Sequence, residues 1–159
     1  MNDITFSSAC AQMLLDFEGF VPHPYVDPGT GGEPITIGIG STHYCDGTKV
    51  SMQDTPISKQ QAMDTCLCYL NNIILPDLQN HVTVDLTQNQ IDALGCLIYN
   101  IGTHGFDTSH VLSDINSGIM EGDLYNRWIA WSKAGGVTVP GLLTRRQKEY
   151  NYFTTGSIA

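Results

Sequence analysis

The sequence predicts an α+β fold with its parts segregated: one helix, a small antiparallel β-hairpin, then a larger set of helices. Three observations predict it. An amphipathic segment at the start runs into a stretch dense in proline and glycine. Within that stretch lies a short β-like run, ITIGIG, at residues 35–40. After Pro56 the apolar residues recur at helical spacing, and two capping-box patterns mark helix starts.

The first helix is expected over roughly Ser7 to Glu18. Cys10, Met13, Leu14 and Phe17 fall at i, i+3, i+4 and i+7, which makes one apolar face. Ser7 or Ser8 caps its start and Gly19 stops it. Glu18 then sits in the last turn, where the helix dipole favours cations. A carboxylate in that place points to a functional reason for keeping it. Tyr25 to Asp27 and Ile35 to Ile39 read as two strands joined by PGTGGEP, with a third short strand at Lys49 to Ser51 after the Asp46-Gly47 turn.

Ser58-Lys59-Gln60-Gln61 opens the next helix, with Ala62, Cys66, Tyr69, Leu70 and Ile73 on or near one face and a bend or end at Pro76. Thr87-Gln88-Asn89-Gln90 opens a central core helix carrying Ile91, Leu94, Ile98 and Ile101, which ends at Gly102. Two shorter helices follow, near Thr108 to Asn116 and near Gly122 to Lys133, the second burying Trp128 and Trp131. Gly135-Gly136 breaks the chain before a last helix around Pro140 to Phe153, with Pro140 in its first turn.

At 159 residues and 42% hydrophobic, the chain suits a single domain with a sizeable core. A net charge of −9 leaves no basic stripe for nucleic acid. It also steers poorly toward an anionic polymer. No apolar run is long enough to span a membrane. The N-terminal segment lacks the basic start of a secretory signal, so synthesis in a cytoplasm is expected. Five cysteines (Cys10, Cys45, Cys66, Cys68 and Cys96) with no such signal favour buried free thiols over a disulfide framework. His43, His104 and His110 read as surface or turn residues. No helical i, i+4 pair or ligand cluster is read for a metal.

Four sets of residues occur in order along the chain. They are Phe17-Glu18-Gly19; Tyr25-Val26-Asp27; Thr36-Ile37-Gly38-Ile39-Gly40; and, downstream, LTQNQIDAL ending in Asn100-Ile101-Gly102, followed by Trp128, Gly135-Gly136, Pro140-Gly141-Leu142 and Thr144-Arg145-Arg146. Together they resemble the phage-type lysozymes, or endolysins, of glycoside hydrolase family 24, over about Phe6 to Phe153. The chain departs from that pattern at Ser41, where the family often has a histidine. It departs also in its longer turn before Thr36 and in its acidity.

The resemblance implies a lysozyme-like domain over 1–159. A small hairpin lobe at about 19–56 and a larger helical lobe, 1–18 with 57–159, would flank a cleft. It implies a muramidase acting on the β-1,4 bond between N-acetylmuramic acid and N-acetylglucosamine of peptidoglycan. Neither cofactor nor metal is called for. The partner is a glycan strand, and the chain is expected to be a monomer. It would be made in the host bacterial cytoplasm and act on the cell wall after release.

Glycoside hydrolysis needs a proton donor for the leaving oxygen and a second carboxylate on the other face of the sugar. Glu18 is the expected acid, its proton held near neutral pH by desolvation beside Phe17. Asp27 orients or deprotonates the attacking water, with inversion, or else attacks as nucleophile with retention. Thr36 shares a hydrogen bond with that water. Tyr25, Gly38, Gly40 and Asn100 are the candidate substrate contacts. For the hairpin glycines, close approach of the polymer and simple bending of the strand are both open. Asn100 and the Arg145-Arg146 pair either touch substrate or hold the lobes together. An arginine on Glu18 would oppose the proton-holding role. Two other functions fit the same polymer: a lytic transglycosylase, and a glycan-binding virion component without catalysis.

Overall fold

The computed structural model describes residues 1–158, and these form two compact units, Ser7–Ile73 and Met1–Phe6 with the chain from Ile74 onward.

In the first unit, α1 (Ser8–Glu18) starts where the Ser7 hydroxyl accepts the Ala9 N–H at 3.2 Å. It buries Cys10, Ala11, Met13 and Leu14 and stops at Gly19, whose φ of 78° a side chain would strain. β1 (Val21–Val26) and β2 (Ile35–Gly38) pair antiparallel, with Tyr25 opposite Thr36 and an irregularity between Val21 and Tyr25. All of β2 is buried; Ile35 and Ile37 pack with Val50, Tyr44 and Ile57. The segment from Ser41 to Ile57 wraps this small core. It is fastened by the Tyr44 hydroxyl and the Ser51 N–H, which both donate to Asp54 Oδ2 at 2.8 Å. α2 (Lys59–Tyr69) opens on a complete capping box: Ser58 Oγ accepts from Gln61 N–H, and Gln61 Oε1 accepts from Ser58 N–H.

In the second unit, α3 (Leu75–His81) leads to α4 (Gln88–Ile101), which has its own capping box at Thr87 and buries every residue from Ile91 to Ile98. α5 (Thr103–Asp107), α6 (His110–Asn116) and α7 (Asp123–Ile129) follow. A short hairpin of β3 (Lys133–Ala134) and β4 (Val137–Thr138) then leads into α8 (Pro140–Thr155), which packs along α4. Between them lies a charged core. Arg145, Arg146 and Glu149 are buried; Arg145 Nε donates to Glu149 Oε1 at 2.9 Å and Arg146 Nη1 at 2.6 Å, while Trp128 Nε1 donates to Oε2 at 3.1 Å.

The α+β architecture and most element positions agree with the sequence reading. Several details differ. Cys45 and Cys68 form a disulfide, contrary to the free-thiol expectation; folding back the loop brings together two cysteines 23 positions apart. Cys10, Cys66 and Cys96 are buried free thiols as expected. The α2 face changes because Leu70–Ile74 widens into a π-helical turn, which buries Ile74 and leaves Tyr69 and Ile73 exposed. Lys49 makes one β-bridge with His43 rather than a strand. Trp128 is fully buried, but Trp131 is only half-buried, because α7 tightens into a 3₁₀ turn at Ala130–Ser132 and rotates Trp131 off the Trp128 face. Gly135-Gly136 is the turn of the β3–β4 hairpin, where φ is positive at both residues.

Candidate active site

The candidate residues Glu18, Tyr25, Asp27 and Thr36 lie in the Ser7–Ile73 unit. Gly19 ends α1 one residue after Glu18, so the Glu18 side chain stands exposed at the C-terminal end of the helix. Asp27 follows β1 directly. Its Oδ1 accepts the Gly29 N–H at 2.6 Å, and its carbonyl accepts the Gly31 N–H at 2.7 Å. This is an Asx-type turn, which fixes both the chain reversal and one carboxylate oxygen. Thr36 is 8% exposed, and its hydroxyl donates to the Pro34 carbonyl at 3.3 Å, which leaves its oxygen lone pairs to accept.

Tyr25 ties these groups together. Cross-strand pairing places it on the same hairpin face as Thr36, and Asp27 lies two residues on. Its phenol is raised above the usual tyrosine value, by burial first and then by the negative charges of Glu18 and Asp27. Both carboxylates thus act electrostatically on the same phenol. Glu18, Tyr25, Asp27 and Thr36 all belong to the Ser7–Ile73 unit.

The other candidate residues lie differently. A Cβ at Gly38 would stand 3.0 Å from Ala62 Cβ and 3.2 Å from Ile57 Cδ1, and Gly38 has a φ of 67°. Its missing side chain lets β2 pack closely on Ala62 of α2 and on Ile57. Gly40 is exposed, with a φ of 71°, in the tight turn where Ile37 and Ser41 pair. Asn100 belongs to the other unit, at the end of α4, and its Oδ1 accepts from Arg146 Nη2. Arg145 and Arg146 are engaged with Glu149.

Sequence reasoning passed over two features. Gly29 was only the third residue of an Asp-Pro-Gly turn; that motif was the available signal for its N–H on Asp27. Asp77, His81 and Asp107 form a cluster within 4.8 Å, correcting the reading that no helical i, i+4 pair or ligand cluster exists. His81 lies one turn after Asp77 on α3, and Asp107 arrives from the end of α5. His81 Nδ1 is 2.9 Å from the Asp77 carbonyl and 3.3 Å from Asp107 Oδ1. Asp77 is pushed above the usual carboxylate value by burial and then by the Asp107 charge.

The family model described as phage lysozyme matches residues 15–149, a span that includes Glu18, Asp27, Thr36, Asn100 and the arginine pair. The chain belongs to the phage lysozyme family. Among relatives, an endolysin of Bacillus phage B103 is 38% identical over 160 residues, covering 96% of this chain and 55% of that protein. The chain spans about half the length of the first curated relatives it matches. Among solved structures, a crystal structure of a P22 lysozyme mutant has a TM-score of 0.81 at 29% identity, covering 96% of this chain and 100% of the other. The muramidase domain of SpmX from Asticaccaulis excentricus also has a TM-score of 0.81, at 27% identity, covering 96% and 99%. These lysozyme-fold neighbours agree with the α+β fold expected from the sequence.

Proposed function

We propose that this chain is a muramidase that hydrolyses the β-1,4 bond between N-acetylmuramic acid and N-acetylglucosamine in bacterial peptidoglycan. What supports this reading is that Glu18, Asp27 and Thr36 lie in one unit of a phage lysozyme family member, with Thr36 paired across the hairpin to Tyr25 and both carboxylates acting on the Tyr25 phenol. The endolysin and muramidase-domain relatives support the choice of substrate.

In this reading Glu18 gives its proton to the leaving glycosidic oxygen. Glu18 is exposed in the free chain rather than desolvated beside Phe17 as expected, so a glycan strand can reach it. Asp27 draws a proton from a water that attacks the anomeric carbon from the opposite face, and Thr36 accepts a hydrogen bond from that water. The anomeric centre inverts. Tyr25 stays protonated and can donate to the sugar. Gly40 and Asn100 are proposed as further substrate contacts. The chain acts as one lysozyme-like domain, a monomer, made in a host bacterial cytoplasm and active on the cell wall.

Glu18→Gln keeps the shape of the side chain and removes its acid. We expect it to lose clearing of purified sacculi by a factor of about 10² or more, with the thermal transition unchanged. Full clearing by this variant would remove Glu18 from the mechanism.

A further inference from the structure

We propose that Gly29 is a positioning residue for the Asp27 carboxylate, which it holds by its N–H and accommodates by its lack of a side chain. The proposal rests on the water-handling role given to Asp27 above. Gly29 N–H donates to Asp27 Oδ1 at 2.6 Å. Among the described residues Oδ2 has no protein partner, so the two oxygens are unequal: one is committed to the turn, and the other is free to face water.

Backbone conformation does not explain a glycine here. Gly31 in the same turn has a φ of 70°, whereas Gly29 is outside the positive-φ set and an alanine could adopt its backbone. What a side chain would meet is the carboxylate itself, because a Cβ on Gly29 would stand 3.1 Å from Asp27 Oδ1. That is closer than carbon and oxygen ordinarily pack, so the carboxylate would have to swing by a few tenths of an ångström. Such a swing stretches the hydrogen bond from the Gly29 N–H to Oδ1 and re-aims Oδ2. An attacking water held for in-line displacement is sensitive to shifts of this size.

Gly32 supplies the control. It lies in the same turn, has no positive φ, and a Cβ there meets nothing within 4 Å. Gly32 meets Asp27 only through the backbone, its carbonyl accepting the Asp27 N–H at 3.2 Å, so Gly29→Ala and Gly32→Ala remove the same backbone freedom but only the first sets a side-chain atom against the carboxylate. We would measure kcat and KM on soluble glycan chains prepared from sacculi, with thermal melts for both variants and Asp27→Ala alongside. The expected result is a fall in kcat of about tenfold for Gly29→Ala with KM within about twofold of wild type. Gly32→Ala should keep the wild-type rate, and both melts should lie within about 2 °C of wild type. A Gly29→Ala rate equal to wild type while Asp27→Ala is inactive overturns the positioning role alone. An equal fall in both glycine variants also overturns it, since turn stiffness would then explain the loss. Asp27→Ala at full rate would overturn the water-handling role itself, and this one with it.

Discussion

At Glu149 one buried carboxylate receives donors from Arg145, Arg146 and Trp128. Removing its charge would strand two buried guanidinium groups. Breaking such a pair costs about 3–5 kcal/mol, much of a domain's usual stability. Glu149→Gln should therefore lower the urea midpoint of the chain sharply while the denaturant slope stays the same. A midpoint near wild type would mean that the arginines find other partners. Asp27 is the opposite case, with one oxygen held by Gly29 and the other open. Glu18, Asp27 and Thr36 could be proposed from the sequence because each sits in a short motif whose neighbours are local. The hold on Asp27 was half-legible: Asp-Pro-Gly announced a turn, but not that the turn presents the carboxylate. Asp77 and Asp107 were illegible as neighbours because a helical pattern does not say which loop returns to which helix.

Among the elements, those with local causes were the readable ones. The Ser58 and Thr87 capping boxes start α2 and α4 where the pattern places them, and Gly19 and Gly102 stop α1 and α4. The β3–β4 hairpin was hidden by its two-residue strands, which are too short to show alternation. The π-turn after α2 shifts the helical phase, a change that no 3.6-residue periodicity contains. The Cys45–Cys68 link is long-range and depends on the loop from Ser41 to Ile57 folding back onto α2. Cross-linking a loop of this length stabilises by about 3 kcal/mol through the unfolded chain. Cys68→Ser, or reduction of the native protein, should lower the unfolding free energy by about that amount while Glu18 and Asp27 stay in place. Unchanged stability after complete reduction would show that the loop is held by its Tyr44–Asp54 and Val50 contacts alone.

At the scale of the molecule, family membership and fold leave the reaction to be tested on the chain itself, which spans about half the length of its first curated relatives. The net charge of −9 gives this chain no electrostatic attraction to an anionic polymer. A hydrolase and a transglycosylase would share the acid at Glu18. They differ in whether water, for which Asp27 and Thr36 are the proposed partners, enters the product. Mass spectrometry of the muropeptides released from purified sacculi by this chain distinguishes them directly. Hydrolysis predicts products ending in a reducing N-acetylmuramic acid that carries one added water. Release of anhydro-sugar ends, or tight binding to sacculi with no products released, would contradict it.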